Sequence, residues 1–144
     1  MKPSVFLGKL DHTKISAGIA AAEQRTSGEI RVFISHRKIS DARRAAEEQF
    51  LKLGMARTKQ RNAVLLFFAP ALQTFAIIGD QGIHNKCGQA LWERLVGEVR
   101  GHLTQNQFTD GILHGIEAVG ELLATHFPPD ASSGDELSND VIED

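Results

Sequence analysis

Apolar residues recur at helical spacing in four stretches of the chain and at strand spacing in three. Within residues 11–26, Ile15, Ile19 and Ala22 fall at i, i+4 and i+7, a stripe one helix wide, with Asp11 as its N-cap. Ser27-Gly28 ends that pattern. Residues 29–35 alternate polar and apolar before closing on Phe33 and Ile34, which predicts a first, partly buried strand. Ser40 is placed to cap a second helix whose Ala42, Ala46, Phe50 and Leu53 share a face, and Gly54 marks its stop. The run 63–69, Ala-Val-Leu-Leu-Phe-Phe-Ala, has no polar position and predicts a central strand covered on both faces. Pro70-Ala71-Leu72-Gln73 joins it to the β-rich run 74–79, and so short a connection predicts an antiparallel hairpin.

From Gln81 the helical period returns. Gly88, Leu91, Leu95, Val99 and Leu103, flanked by Trp92, predict one long third helix. Thr109 is expected to cap a fourth, with Asp110 in its first turn and Ile112, Ile116, Val119 and Leu123 as its buried stripe. His126-Phe127-Pro128-Pro129 ends it. The predicted fold is therefore α/β, a three-layer α/β/α sandwich with a small mixed sheet and helices on both faces. A β-α-β crossover makes the first two strands parallel, and the hairpin sets the third antiparallel to the second. That topology gathers Thr26, Ser27, Gly28, Arg61, Asn62, Gly79, Asp80 and Gly82 at one end of the sheet, with His126 arriving from the fourth helix.

Composition narrows the class. At 144 residues, 42% apolar and 24% charged, the chain has the size and balance of one globular domain, able to bury about two-thirds of its unfolded surface. The expected organisation is a lead over 1–10, the domain over 11–129, and an acidic, disordered tail over 130–144. That tail holds six acids and no Lys or Arg, leaving the preceding body with 16 cationic and 12 acidic side chains, net +4. Such an asymmetry suits an anionic partner or a tail that folds back on its own body. Cys87 is the lone cysteine, so no internal disulfide forms, and a cytoplasmic location is expected. No apolar window reaches bilayer length, so no direct membrane insertion is expected. Aromatics interleaved with the basic stretch are limited to Phe33 and Phe50, both on buried faces, which argues against nucleic acid as a partner.

Four motifs, in order and spacing, carry a resemblance: Glu23-Gln24-Arg25-Thr26-Ser27-Gly28-Glu29-Ile30, Arg61-Asn62-Ala63-Val64-Leu65-Leu66, Ile78-Gly79-Asp80-Gln81-Gly82 and Phe108-Thr109-Asp110-Gly111-Ile112. Together they resemble the TPM domain family over about residues 11–127. The resemblance implies the three-layer sandwich. It also implies the activities known for some members: weak acid phosphatase activity, calcium binding and chaperone-like assistance to membrane complexes.

The residues themselves define the candidate chemistry. In Gly79-Asp80-Gln81-Gly82 a carboxylate meets backbone N–H groups at a helix start, suited to a hydrated Ca2+ or Mg2+ through Asp80 or to a phosphorylated group through the N–H groups. Asn62, Thr26 and Ser27 would add neutral oxygen ligands, and Arg61 a planar fork for phosphate. In a metal-assisted phosphatase, Asp80 and Arg61 would be the catalytic pair. The plainer alternative is that Gly79 and Gly82 make the turn and Asp80 caps the helix. Asp80, His84 and Cys87 fall at i, i+4 and i+7 of the third helix, near His126, but fit no standard zinc motif. No G-x-S-x-G, P-loop, dinucleotide fingerprint or H-E-x-x-H is present. A protein-interaction role, through the basic second helix and the acidic tail, is the remaining alternative.

Overall fold

A run with no polar side chain can only be a strand if both faces are covered, and Ala63–Ala69 (β2) is buried at every position. In the computed structural model, which describes residues 1–129 and 139–144, β2 lies inside a four-stranded sheet, with Thr74–Gly79 (β3) on one side, Glu29–Ile34 (β1) on the other and Ile142–Glu143 (β4) beyond β1. Glu29–Ile34 (β1) pairs with it in parallel, Phe33 opposite Phe67, and Thr74–Gly79 (β3) pairs antiparallel, Val64 opposite Gly79. The predicted connectivity of these three strands holds.

The two faces carry separate cores. Ile30, Val32, Ile34, Val64, Leu66 and Phe68 point to one face, covered by His12–Glu23 (α2), Gln89–Thr104 (α5) and Phe108–His126 (α6). Phe33, Ala63, Leu65, Phe67 and Ala69 point to the other, covered by Ala42–Lys52 (α3). Phe33 and Phe67 stack there with ring centroids 5.6 Å apart. The chain is therefore an α/β/α sandwich with a heavier helical layer on one side. No helix among the described residues is long and apolar enough to cross a membrane.

Several local expectations change. Residues 1–10 are not a lead outside the domain: Pro3–Gly8 forms a helix (α1) whose Phe6 is buried between Phe68 and Phe108, and Leu10 joins the same core. Asp41, not Ser40, caps α3, its carboxylate accepting from the Arg44 N–H at 3.1 Å. Thr109 caps nothing in its own helix; α6 begins two residues earlier than that cap would place it, with Gln107 at the N-cap and Phe108 buried, and the Thr109 hydroxyl accepts from the Asp11 N–H. The long third helix is two pieces, Gln81–His84 (α4) and α5, separated at Asn85-Lys86-Cys87-Gly88. Asn and Gly are weak helix formers, and the break turns Cys87 into the core, 6% exposed. After the break Trp92, Leu95 and Val99 face inward while Leu91 is 41% exposed, so Trp92 takes the place expected of Leu91.

The last residues of the acidic tail form a strand that was not expected. Residues 130–138 lie outside the described residues, but Ile142–Glu143 (β4) pairs in parallel with Phe33 and Ile34 and extends the sheet beyond β1.

Candidate functional site

The predicted gathering of polar residues at one sheet end is present, and its members bind one another. Asp80 follows β3 and is 7% exposed. Arg61, on the approach to β2, grips it with both arms of the guanidinium: Nε donates to Oδ2 at 2.7 Å and an Nη to Oδ1 at 2.9 Å. This fork-to-fork pair is the strongest geometry available to a carboxylate and a guanidinium. Oδ1 also accepts from the Gln81 N–H at 2.8 Å, which caps α4. The hydrogen bond to Asp80 raises the Arg61 pKa further, so the guanidinium stays charged. Its side chain remains 40% exposed. Arg61 reaches this position with a left-handed backbone, φ 52°.

The backbone enforces the arrangement. The Gly82 N–H donates to the Arg61 carbonyl at 3.0 Å, and a Cβ on Gly82 would stand 2.3 Å from the Gln60 carbonyl oxygen and 2.6 Å from that of Arg61. Only glycine fits there. At Gly79 a Cβ would meet the Trp92 ring at 2.9 Å, so this glycine makes room for packing.

Thr26 and Asn62 are 1% and 2% exposed, and both hydrogen-bond within the fold. The Thr26 hydroxyl donates to the Phe127 carbonyl and accepts from the Gly28 N–H, and the Ser27 N–H reaches the same carbonyl at 3.0 Å. These bonds fasten the end of α6 to the start of β1. The Asn62 amide donates to the Ser27 Oγ at 3.2 Å, as does the Gln60 amide at 3.1 Å. Ser27 is thus an acceptor twice over, leaving its own hydrogen free to donate. Gln60 and Phe127 are members of this cluster that sequence reasoning misses, since a side-chain amide in a polar turn and a main-chain carbonyl after a helix leave no sequence signal.

The mixed set Asp80, His84, Cys87 and His126 is not assembled. The helix break removes the i, i+4, i+7 relation: Cys87 packs in the core, where burial raises its thiol pKa, and His84 lies edge-on to Trp92 with centroids 5.3 Å apart. No cluster of three or more His, Cys, Asp or Glu suited to a metal occurs among the described residues. Calcium or magnesium at Asp80 is likewise a poor fit while Arg61 holds both carboxylate oxygens.

A cleft of about 780 Å3 opens at the opposite sheet end, near Phe6, Phe68, Phe75 and the start of α3. None of the predicted site residues lines it. Its charged groups are engaged, Arg100 over the Phe75 ring at 5.3 Å and Arg43 with Glu47 at 3.2 Å, and they do not converge on a shared point.

Residues 3–122 match the TPM domain. The chain belongs to the TPM domain family. Among solved structures, the TPM chain is similar to the BA42 protein of the psychrophilic bacterium Bizionia argentinensis, with 34% identity, a TM-score of 0.84 and 92% of each chain covered. It shares its fold with the N-terminal domain of a protein from P. gingivalis, at 16% identity and a TM-score of 0.59 over 79% of this chain and 76% of the other. No curated protein matches it. The TPM match begins at residue 3, which agrees with α1 being part of the domain.

Proposed function

We propose that this TPM domain is a binding module that takes a phosphorylated group at the Ser27–Arg61 end of the sheet. The observation that carries the reading is the Arg61–Asp80 fork: Asp80 holds the guanidinium in one orientation while 40% of the Arg61 side chain stays accessible. A pre-oriented guanidinium loses little freedom when an anion docks on its remaining N–H groups, and the unspent Ser27 hydroxyl hydrogen is a further donor at the same end. The charge of the Asp80 carboxylate is already satisfied by Arg61 and Gln81, which lessens its repulsion of an incoming anion.

Calcium or magnesium is the second reading, and it fits only with Arg61 displaced from Asp80. Metal-assisted hydrolysis of a phosphate ester would need the anion and the cation together, and Asp80 cannot hold the cation while Arg61 occupies both of its oxygens.

Thermal melting with inorganic phosphate, phosphoserine, calcium and magnesium separates these readings. Ligand at 100 times its dissociation constant adds about 2.7 kcal/mol of stability. The anion reading expects phosphate to stabilise the native chain and not Arg61→Ala. It is overturned by no shift, or by an equal shift in both chains. The cation reading expects the reverse, tighter calcium or magnesium binding once Arg61→Ala frees Asp80. Turnover of p-nitrophenyl phosphate that persists in both Arg61→Ala and Asp80→Ala would not belong to this site.

A further inference from the structure

The turn from α5 to α6 gathers four further polar side chains, Glu98, His102, Gln107 and His114. A Cβ on Gly111 would stand 3.0 Å from the His102 Cβ, so this glycine lets α6 start close against the last turn of α5. The link between the helices is tight. The Gln105 and Gln107 N–H groups both donate to the His102 carbonyl, at 3.1 and 2.9 Å, and Asn106 takes a left-handed backbone, φ 61°. His114 follows Gly111 by three residues and so shares its face of α6. The His114 ring centroid lies 5.3 Å from that of His102, with the two planes tilted by 40°. Each ring is anchored through one nitrogen: His102 Nδ1 lies 2.9 Å from Gln107 Oε1, and His114 Nε2 lies 2.6 Å from Glu98 Oε2. Those oxygens can only accept, so the nitrogen facing each of them carries the proton. In the neutral rings the lone pairs therefore belong to His102 Nε2 and His114 Nδ1.

We infer that His102 and His114 are the two protein ligands of a site for a divalent transition ion of the zinc and copper class, with Gln107 and Glu98 as positioning residues that set their tautomers. Histidines that bind such ions donate the second ring N–H to a carboxylate or carbonyl oxygen, which fixes the ring and makes the ligating nitrogen more basic. Both rings here have that partner. The ring separation also fits, because two imidazoles on one tetrahedral ion, with metal–nitrogen bonds of about 2.1 Å, have their centres roughly 5 Å apart. Both histidines are partly exposed, so an ion can enter and water can complete its coordination. With two imidazole ligands this is an open site, unlike the closed sets of four ligands that structural zinc requires. Calcium and magnesium take oxygen ligands, whereas imidazole nitrogen suits zinc, copper and nickel. The Glu98 carboxylate adds negative charge beside the ion. Because one ligand comes from α5 and the other from α6, a bound ion would tie the two helices together across their turn.

The test titrates zinc chloride into the full, metal-free, 15N-labelled chain at about pH 8, where imidazoles are neutral, and follows the histidine ring nitrogens by NMR. Before zinc is added, the proton should sit on His102 Nδ1 and on His114 Nε2. Zinc should then shift His102 Nε2 and His114 Nδ1 together, saturating at one ion per chain, and leave the rings of His12, His36, His84 and His126 in place. Calcium chloride should move none of them. In calorimetry, His102→Ala and His114→Ala should each weaken zinc binding by about tenfold or more, and Glu98→Ala by about tenfold while also freeing the His114 ring to take either tautomer. His84→Ala should bind as the native chain does. The inference is overturned if neither ring responds to zinc, if zinc binding survives both histidine substitutions, or if all six histidines respond alike, which would mean an adventitious ion only. One ion shared between two chains would also overturn it, since the two ligands would then not belong to one turn. If the substituted chains do not fold, the ring-nitrogen titration of the native chain decides alone.

Discussion

The two ends of the sheet hold comparable sets of polar residues and use them in opposite ways. At the Asp80 end, the ligating groups belong to segments tightly bound into the fold, and Thr26, Asn62 and Asp80 are nearly inaccessible. At the Ser35 end, the acceptor is the last residue after the two-residue strand β4, and the donors meet it at the surface edge of β1. A polar cluster closed by elements of the core stabilises the fold. One closed by a two-residue edge strand is held by fewer backbone pairings. Burial alone does not distinguish them, because Ser35 is as buried as Thr26; the attachment of the acceptor does.

Substitutions can break this contrast, beginning with the most rigid contact. Gly82→Ala forces a Cβ against two carbonyl oxygens that no side-chain rotation can relieve. It should cost about 3 kcal/mol in denaturant unfolding, and a loss under about 1 would mean that the Arg61 turn is pliable. Asp80→Ala removes the α4 cap and leaves Arg61 without its partner. Because Arg61 is partly solvated, the expected loss is about 2 kcal/mol, below that of a fully buried pair.

The other end should respond more weakly. Asp144→Ala leaves the Ser35 hydroxyl and the His36 N–H without their carboxylate and should cost about 1 kcal/mol. Its distinguishing mark is locality: amide exchange should rise at Ile142 and Glu143 while the β1–β2 ladder stays protected. A loss as large as that of Asp80→Ala would show that β4 is an integral strand, and the contrast between the ends would fail.

Acid gives the smallest and most selective change. Burial pushes the Asp144 carboxyl up, but hydrogen bonds from His36, Ser35 and Arg37 outweigh it, so its pKa falls below the ordinary aspartate value. A depressed pKa means that the docked segment gains stability from this carboxylate above about pH 4, and loses it as pH falls from there through the folded value. NMR of the Ile142–Asp144 amides should therefore show release in acid before global unfolding, and simultaneous loss of both would contradict it.

Much of this was legible in the chain. The unbroken apolar run of β2 required cover on both faces, and the short link after it required a hairpin. Those two facts placed Arg61, Asn62 and Asp80 together before any side chain was positioned. What they could not specify was the partner of each group. Whether Asp80 was open to an ion or closed by Arg61 depended on a left-handed turn at Arg61 and on the approach of Gly82 to two carbonyls. The metal set through His84 and Cys87 failed because periodicity runs smoothly across a helix break when the residues around it still satisfy the apolar pattern.

The sequence by itself determined the layers, the strand directions and the polar composition of the Asp80 end, because hydrophobic period and loop length act locally along the chain. Only the tertiary structure decided which donors are already spent, that α1 belongs to the core, and that acids at 143–144 close an edge set by Ser35, more than a hundred residues earlier. Those are pairings between distant segments, and their energies depend on approach distances that spacing along a chain does not encode.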